Sequence, residues 1–100
     1  MIKTRYAVWR EPGTAWRPSL DMEEQPGWEE HAAFMNTLAA EGFAIMAGPL
    51  EHGDEILLVV EAENEGEVRK RLAADPWTTM QILTIKRIVP WHDKLNTGKE

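Results

Sequence analysis

The chain has 100 residues, 43% of them apolar and 28% charged, a composition that suits one globular domain rather than a disordered segment. Its formal net charge of −6 argues against a nucleic-acid backbone as partner, and the lack of cysteine excludes disulfides, thiolate metal sites and a cysteine nucleophile. No apolar run approaches the ~20 residues that span a bilayer, and Met1-Ile2-Lys3-Thr4-Arg5 opens no signal peptide, so a cytoplasmic protein without membrane contact is expected.

Residues 3–10 (K-T-R-Y-A-V-W-R) read as a strand rich in Tyr6, Val8 and Trp9. Tyr6 and Val8 point one way and Ala7 and Trp9 the other, so contacts on both faces are expected. Glu11-Pro12-Gly13 has turn chemistry and opens a loop over residues 11–27, broken by Pro12, Pro18 and Pro26. This loop carries Trp16, Arg17 and Met22, which suit a flap over a pocket. It also carries Asp21, Glu23 and Glu24, which suit a solvated excursion.

Residues 28–41 predict the first helix. Trp28, Ala32, Met35, Leu38 and Ala39 recur at helical spacing, Glu29 and Glu30 complement the dipole of the first turn, and Gly42 is the expected stop. His31 stands four residues before Met35 and seven before Leu38, which puts an imidazole on or beside the buried stripe. A second strand over residues 43–50 ends in Gly48-Pro49, a hairpin turn follows at 51–54, and a third strand at 55–62 is apolar at every central position. Asn64 predicts the cap of a second helix over residues 64–74, with Glu67 completing a capping box and Asp75-Pro76 ending it. Arg69-Lys70-Arg71 falls late in that helix, where cations complement the dipole. Residues 82–91 predict the last strand, with Pro90 suiting an edge, and a polar tail from 92 to 100 is expected to fray.

The order β-α-β-β-α-β predicts an α+β, ferredoxin-like domain over residues 1–100: a four-stranded antiparallel sheet with two helices on one face. The other face has no helix to cover it, yet the third strand lacks the polar alternation of a solvated face. A second copy of the chain is the expected cover, giving a symmetric homodimer with the sheets face to face.

Little else in the sequence carries chemistry. His52 and His92 have no metal-ligand spacing to each other or to His31, so no metal is expected. Gly48-Pro49-Leu50-Glu51-His52-Gly53 has no lysine and starts no helix, so it is no phosphate loop. Ser19 is the only serine and lies in no nucleophile motif. General acid–base chemistry through His31, or no chemistry, remains. Asp75 ends a helix on the same side of the sheet as His31, where it can fix the imidazole tautomer and leave the other nitrogen to move protons. Five tryptophans are many for this length. Trp28 and Trp77 lie nearest His31 and Asp75 in sequence and are the expected pocket walls.

His31, Glu41-Gly42, Ala47-Gly48-Pro49, Asp75-Pro76-Trp77 and Pro90-Trp91, taken as an ordered set, resemble the YCII-related family of dimeric α+β barrel proteins. The resemblance implies a ferredoxin-like protomer, a homodimer and an active site on a His/Asp pair, here His31 and Asp75, with Gly48 and Pro49 in the same cleft. A dehydrochlorinase of chloroaromatic breakdown in the family, and the likeness to muconolactone isomerase, imply lyase or isomerase chemistry on small cyclic acids or phenols, without a cofactor. The alternative is a non-catalytic small-ligand-binding or accessory domain of the same fold. Gln81 stands where many relatives carry glycine, which implies a narrower or more polar pocket.

Overall fold

In the computed structural model, which describes residues 3–51 and 54–95, apolar periodicity and capping set the elements in order. They are β1 (Thr4–Pro12), a 3-10 turn (Met22–Glu24), α1 (Trp28–Ala40), β2 (Ala44–Pro49), β3 (Ile56–Ala62), α2 (Glu65–Ala73), α3 (Pro76–Thr79) and β4 (Leu83–Pro90). The four strands form one antiparallel sheet in the order β2-β3-β1-β4, the ferredoxin-like arrangement with β2 and β4 at the edges. The hairpin expected at 51–54 includes His52 and Gly53, which lie outside the described residues.

Period-two alternation divides the sheet residues between two faces. On β1, Tyr6, Val8 and Arg10 face the helices, opposite Val60, Leu58 and Ile56 of β3. Leu38 of α1 and Val68 and Leu72 of α2 close over this face and join Tyr6, Val8, Leu58 and Val60 in the main core. Burying each such aliphatic side chain stabilises by about 1.5–3 kcal/mol. A smaller core at the other end holds Ile56, Trp77, Ile82 and Leu83, with Trp16, Met22 and Trp28 against it.

The outer face carries Ala7 and Trp9 of β1 and Leu57, Val59 and Glu61 of β3. Arg5 pairs with Glu61 at 2.7 Å, Arg87 lies over the Trp9 ring, and Lys86 bonds Glu55. The apolar strip is therefore rimmed by charges. Lys86 is also the extra residue where the β1–β4 register shifts between Trp9 and Arg10. That bulge keeps Arg87 on the outer face and Ile85 on the helix side.

Capping accounts for the helix ends. Gly42, at φ 81°, ends α1 in a Schellman motif: its N–H bonds Ala39 O, and Phe43 N–H bonds Leu38 O, both at 3.0 Å. Asn64 caps α2 by accepting from Glu67 N–H at 2.9 Å. The return half of the expected capping box differs, since the Glu67 carboxylate takes Glu63 N–H instead of that of Asn64. The basic run of α2 is engaged locally, Arg69 with Glu65 one turn earlier and Arg71 with Glu41 while lying over Phe43.

Three expectations are corrected. Asp75-Pro76 stops α2 but also starts α3, because an aspartate N-cap followed by proline at the first helical position is a favoured helix start. β1 runs on to Pro12, which sits at the strand end opposite Leu83. Gln81 does not narrow the pocket: it is an exposed turn residue at φ 62° before β4, bonded to Thr14. A left-handed backbone of this kind favours glycine.

The 13–27 loop is pinned at both ends. Gly13 N–H bonds Ile82 O and Ala15 N–H bonds Gln81 O, each at 2.9 Å. Gln25, only 2% exposed, uses its amide three times, on Arg17 N–H, Arg17 O and Leu20 O. A Cβ on Gly13 would lie 2.3 Å from Gln81 O, so backbone approach requires glycine there. Urea titration of two variants is expected to give opposite signs: Gln81→Gly stabilises by about 0.5–1 kcal/mol, and Gly13→Ala destabilises by about 1–3 kcal/mol.

Candidate functional site

α1 begins at Trp28, and its inward stripe (Trp28, His31, Ala32, Met35) forms one wall of a cavity of about 420 Å³. Ala47, Gly48 and Pro49 of β2 and Ile56 and Leu58 of β3 form the opposite side. Met22 and Glu23 of the 3-10 turn close one end, so the loop contributes a wall. The polar side chains at this otherwise apolar space are Arg10, His31, Glu23 and Asn36. Its volume lies in the ~300–1,000 Å³ range of small-molecule sites.

Asp75 sits behind the cavity wall with no exposed surface. As N-cap of α3 it accepts Trp77 N–H through Oδ1 at 2.9 Å. His31 Nδ1 lies 3.0 Å from Oδ1 and 2.9 Å from Oδ2. Arg10 Nη1 donates to Oδ2, also at 2.9 Å. Burial drives the Asp75 pKa upward, but the His31 hydrogen bond, the Arg10 charge and Trp77 N–H outweigh it and hold the carboxyl below its ordinary value of 3.8. An ionised carboxylate only accepts, so Nδ1 carries the proton and Nε2 of the neutral ring is the acceptor. Nε2 has no hydrogen-bond partner among the described residues, and the ring lines the cavity.

Arg10 is 2% exposed, and burial draws its guanidinium below its usual value while Asp75 pulls it back up. It remains a cation at neutral pH, which balances the buried carboxylate. Its Nη2 donates to Thr78 Oγ1 at 3.2 Å, and that hydroxyl donates in turn to Leu72 O at 2.8 Å. Asp75 is therefore tied to β1, α1 and α3 at once.

Trp77 stacks on the His31 ring, 3.9 Å between centroids and 8° from parallel. Its Nε1–H donates to Pro26 O at 2.7 Å, and Trp16 meets its ring edge-on at 6.3 Å. Trp28 leans on both His31 and Trp77. Two tryptophans of the loop and helix thus clamp the one that backs the imidazole.

The residues expected from sequence divide as follows. His31 and Asp75 meet. Trp28, Gly48 and Pro49 line the cavity with His31. Trp77 is fully buried behind the imidazole and does not line the cavity. Arg10 and Thr78 were not singled out from sequence, while Met22 was expected in the flap and Met35 on the buried stripe. Only Arg10 had a signal: it shares two-residue parity with Tyr6 and Val8, which puts a cation on the helix side of β1. Among the described residues no group of three or more His, Asp or Glu is placed to hold a metal ion, and no helix is long and apolar enough to cross a membrane.

Fold and cavity together define a ferredoxin-like α+β protein with a buried His–Asp–Arg cluster at a small-molecule-sized cleft. The chain belongs to the YCII-related family: the YCII-related domain matches it over residues 4–92. No curated protein and no solved structure matches it.

Because the folded pKa of Asp75 lies below its unfolded value, its stabilisation is complete above that unfolded value, near 3.8, and is lost as pH falls through the folded one. Urea titrations at a series of pH values are expected to show wild-type stability falling more steeply below about pH 4 than that of Asp75→Asn. At neutral pH the same substitution is expected to cost about 3–5 kcal/mol, because Arg10 keeps a buried charge without its partner.

Proposed function

We propose that the protein performs acid–base chemistry on a small ring compound, with His31 as the proton-transferring group and Asp75 as its orienter. The observation that carries this reading is the contact of His31 Nδ1 with both oxygens of Asp75 at 3.0 and 2.9 Å, on a ring that lines an apolar cavity. Nε2 takes a proton from a ligand carbon or hydroxyl, and Asp75 stabilises the imidazolium that forms. Returning that proton at a different ligand atom is an isomerisation. Expelling a leaving group from the neighbouring carbon instead is an elimination. The match to the YCII-related domain supports the family and the fold, and the lyase or isomerase direction rests on the site geometry. Trp28, Gly48 and Pro49 shape the ligand space, and Trp77 acts through the imidazole it backs.

A second reading is a ligand-binding domain without turnover. It is favoured by the full-face stack on Trp77 and the 7% exposure of His31, which also suit a packed core histidine. Turnover separates the two. In a screen of small cyclic acids and phenols, the wild type is expected to convert at least one compound, and His31→Ala to lose about 10²–10⁴-fold in rate. Equal turnover in both removes His31 from the mechanism.

The working form is a symmetric homodimer joined through the outer sheet face. Met46, 65% exposed, stands with half-buried Leu57 on this face, where Ala7 and Val59 are already buried, and a Cβ on Gly48 would meet nothing within 4 Å. Light scattering at micromolar concentration is expected to give twice the mass of one chain, and Met46→Glu to shift it toward one chain. A wild-type protein of single-chain mass rules this arrangement out.

A further inference from the structure

Arg10 has one group that neither the ion pair nor the fold uses. Its side chain is 2% exposed, Nη1 is spent on Asp75 and Nη2 on Thr78, but Nε–H has no hydrogen-bond partner among the described residues. It is the one buried side-chain nitrogen or oxygen in that state among those residues. A donor left unmade inside a protein is costly, and an acceptor oxygen brought by a ligand removes that cost. Arg10 also lines the same cavity as His31. Both converge on a single oxygen, Asp75 Oδ2, at 2.9 Å each, so guanidinium and imidazole stand side by side at its wall.

The charges define what this place accepts. The Arg10 cation and the Asp75 anion cancel, so the pair adds no net charge to a cavity that the Glu23 carboxylate also lines. The remaining surface is largely apolar, with Met22, Trp28, Met35, Ile56, Leu58 and Leu83 around it. We propose that Arg10 is a ligand-anchoring residue: its Nε–H receives an acceptor oxygen of a compact apolar ring, a carboxylate, phenolate or ring ketone, and holds that ring against His31. This deepens the acid–base reading and rests on it. An oxygen fixed at Arg10 defines which atom of the ring faces Nε2, and an uncharged hydrocarbon of the same size gains only burial.

The test uses the ¹⁵N-labelled full chain, with the Arg10 Nε–H resonance assigned through its side-chain connectivities. Benzoate, phenol and toluene are titrated as probes. Benzoate or phenol is expected to shift the Arg10 Nε–H signal, while toluene moves His31 and Trp28 signals only. Arg10→Lys keeps a cation for Asp75 but removes Nε, and is expected to weaken benzoate about tenfold or more while leaving toluene within about twofold. If that variant does not fold, the wild-type titration decides alone. An Arg10 Nε–H signal unmoved by benzoate and phenol while His31 signals respond overturns the anchor and leaves the acid–base reading standing. No response at either residue to any probe overturns both.

Discussion

A carboxylate without exposed surface keeps its charge only if its neighbours replace the water it has lost. Asp75 is such a group, and much of this molecule is arranged to satisfy it. Its oxygens take donors from Arg10, 65 positions earlier, from His31, 44 positions earlier, and from the backbone two positions on. Moving any one of β1, α1 or α3 out of place leaves an ion inside the protein with its partner gone. An apolar cluster of the same volume gives comparable or greater stability. What the cluster adds is position: it fixes how α1 and α3 sit against the sheet at the end where the main core has run out.

The same cluster gives the imidazole a defined orientation. Nδ1 is committed to Asp75, one ring face is covered by Trp77, and Trp28 leans on the ring. The indole is itself held by Pro26 O and by the edge of Trp16. This is why the long loop matters. Gln25 and the Gly13–Gln81 contact hold it in shape, and the loop then contributes both the Trp16 ring that meets Trp77 and Met22 at the cavity. The cavity forms where α1 packs against β2 beside Arg10 of β1.

Part of this was legible in the sequence for local reasons. His31 was conspicuous because an ionisable side chain fell in a helical apolar stripe. The Gly42 stop, the Asn64 cap and the apolar run of β3 are written in a few neighbouring residues, and they appear where expected. Arg10 was legible in principle by parity, but a cation near a strand end ordinarily reaches solvent, and nothing nearby marks this one as buried. Asp75-Pro76 supports a stop and a start equally well, so α3 was missed although its capping chemistry was in view. Trp77 was placed in the pocket because it is near Asp75 in sequence. α3 turns it behind the imidazole instead.

By itself the sequence determined the order and type of the main elements, which residues of β1 share a face and the presence of one out-of-place histidine. These follow from hydrophobic period, caps and turn residues, each acting over a few positions. The tertiary structure alone decided that the Asp75 carboxylate is shared between His31 and Arg10, that Thr78 holds the guanidinium and that the loop closes one end of the cavity. The reason is range. A buried charge must find its partner wherever the fold brings one, and the pairing of residues 65 positions apart leaves no local pattern along the chain.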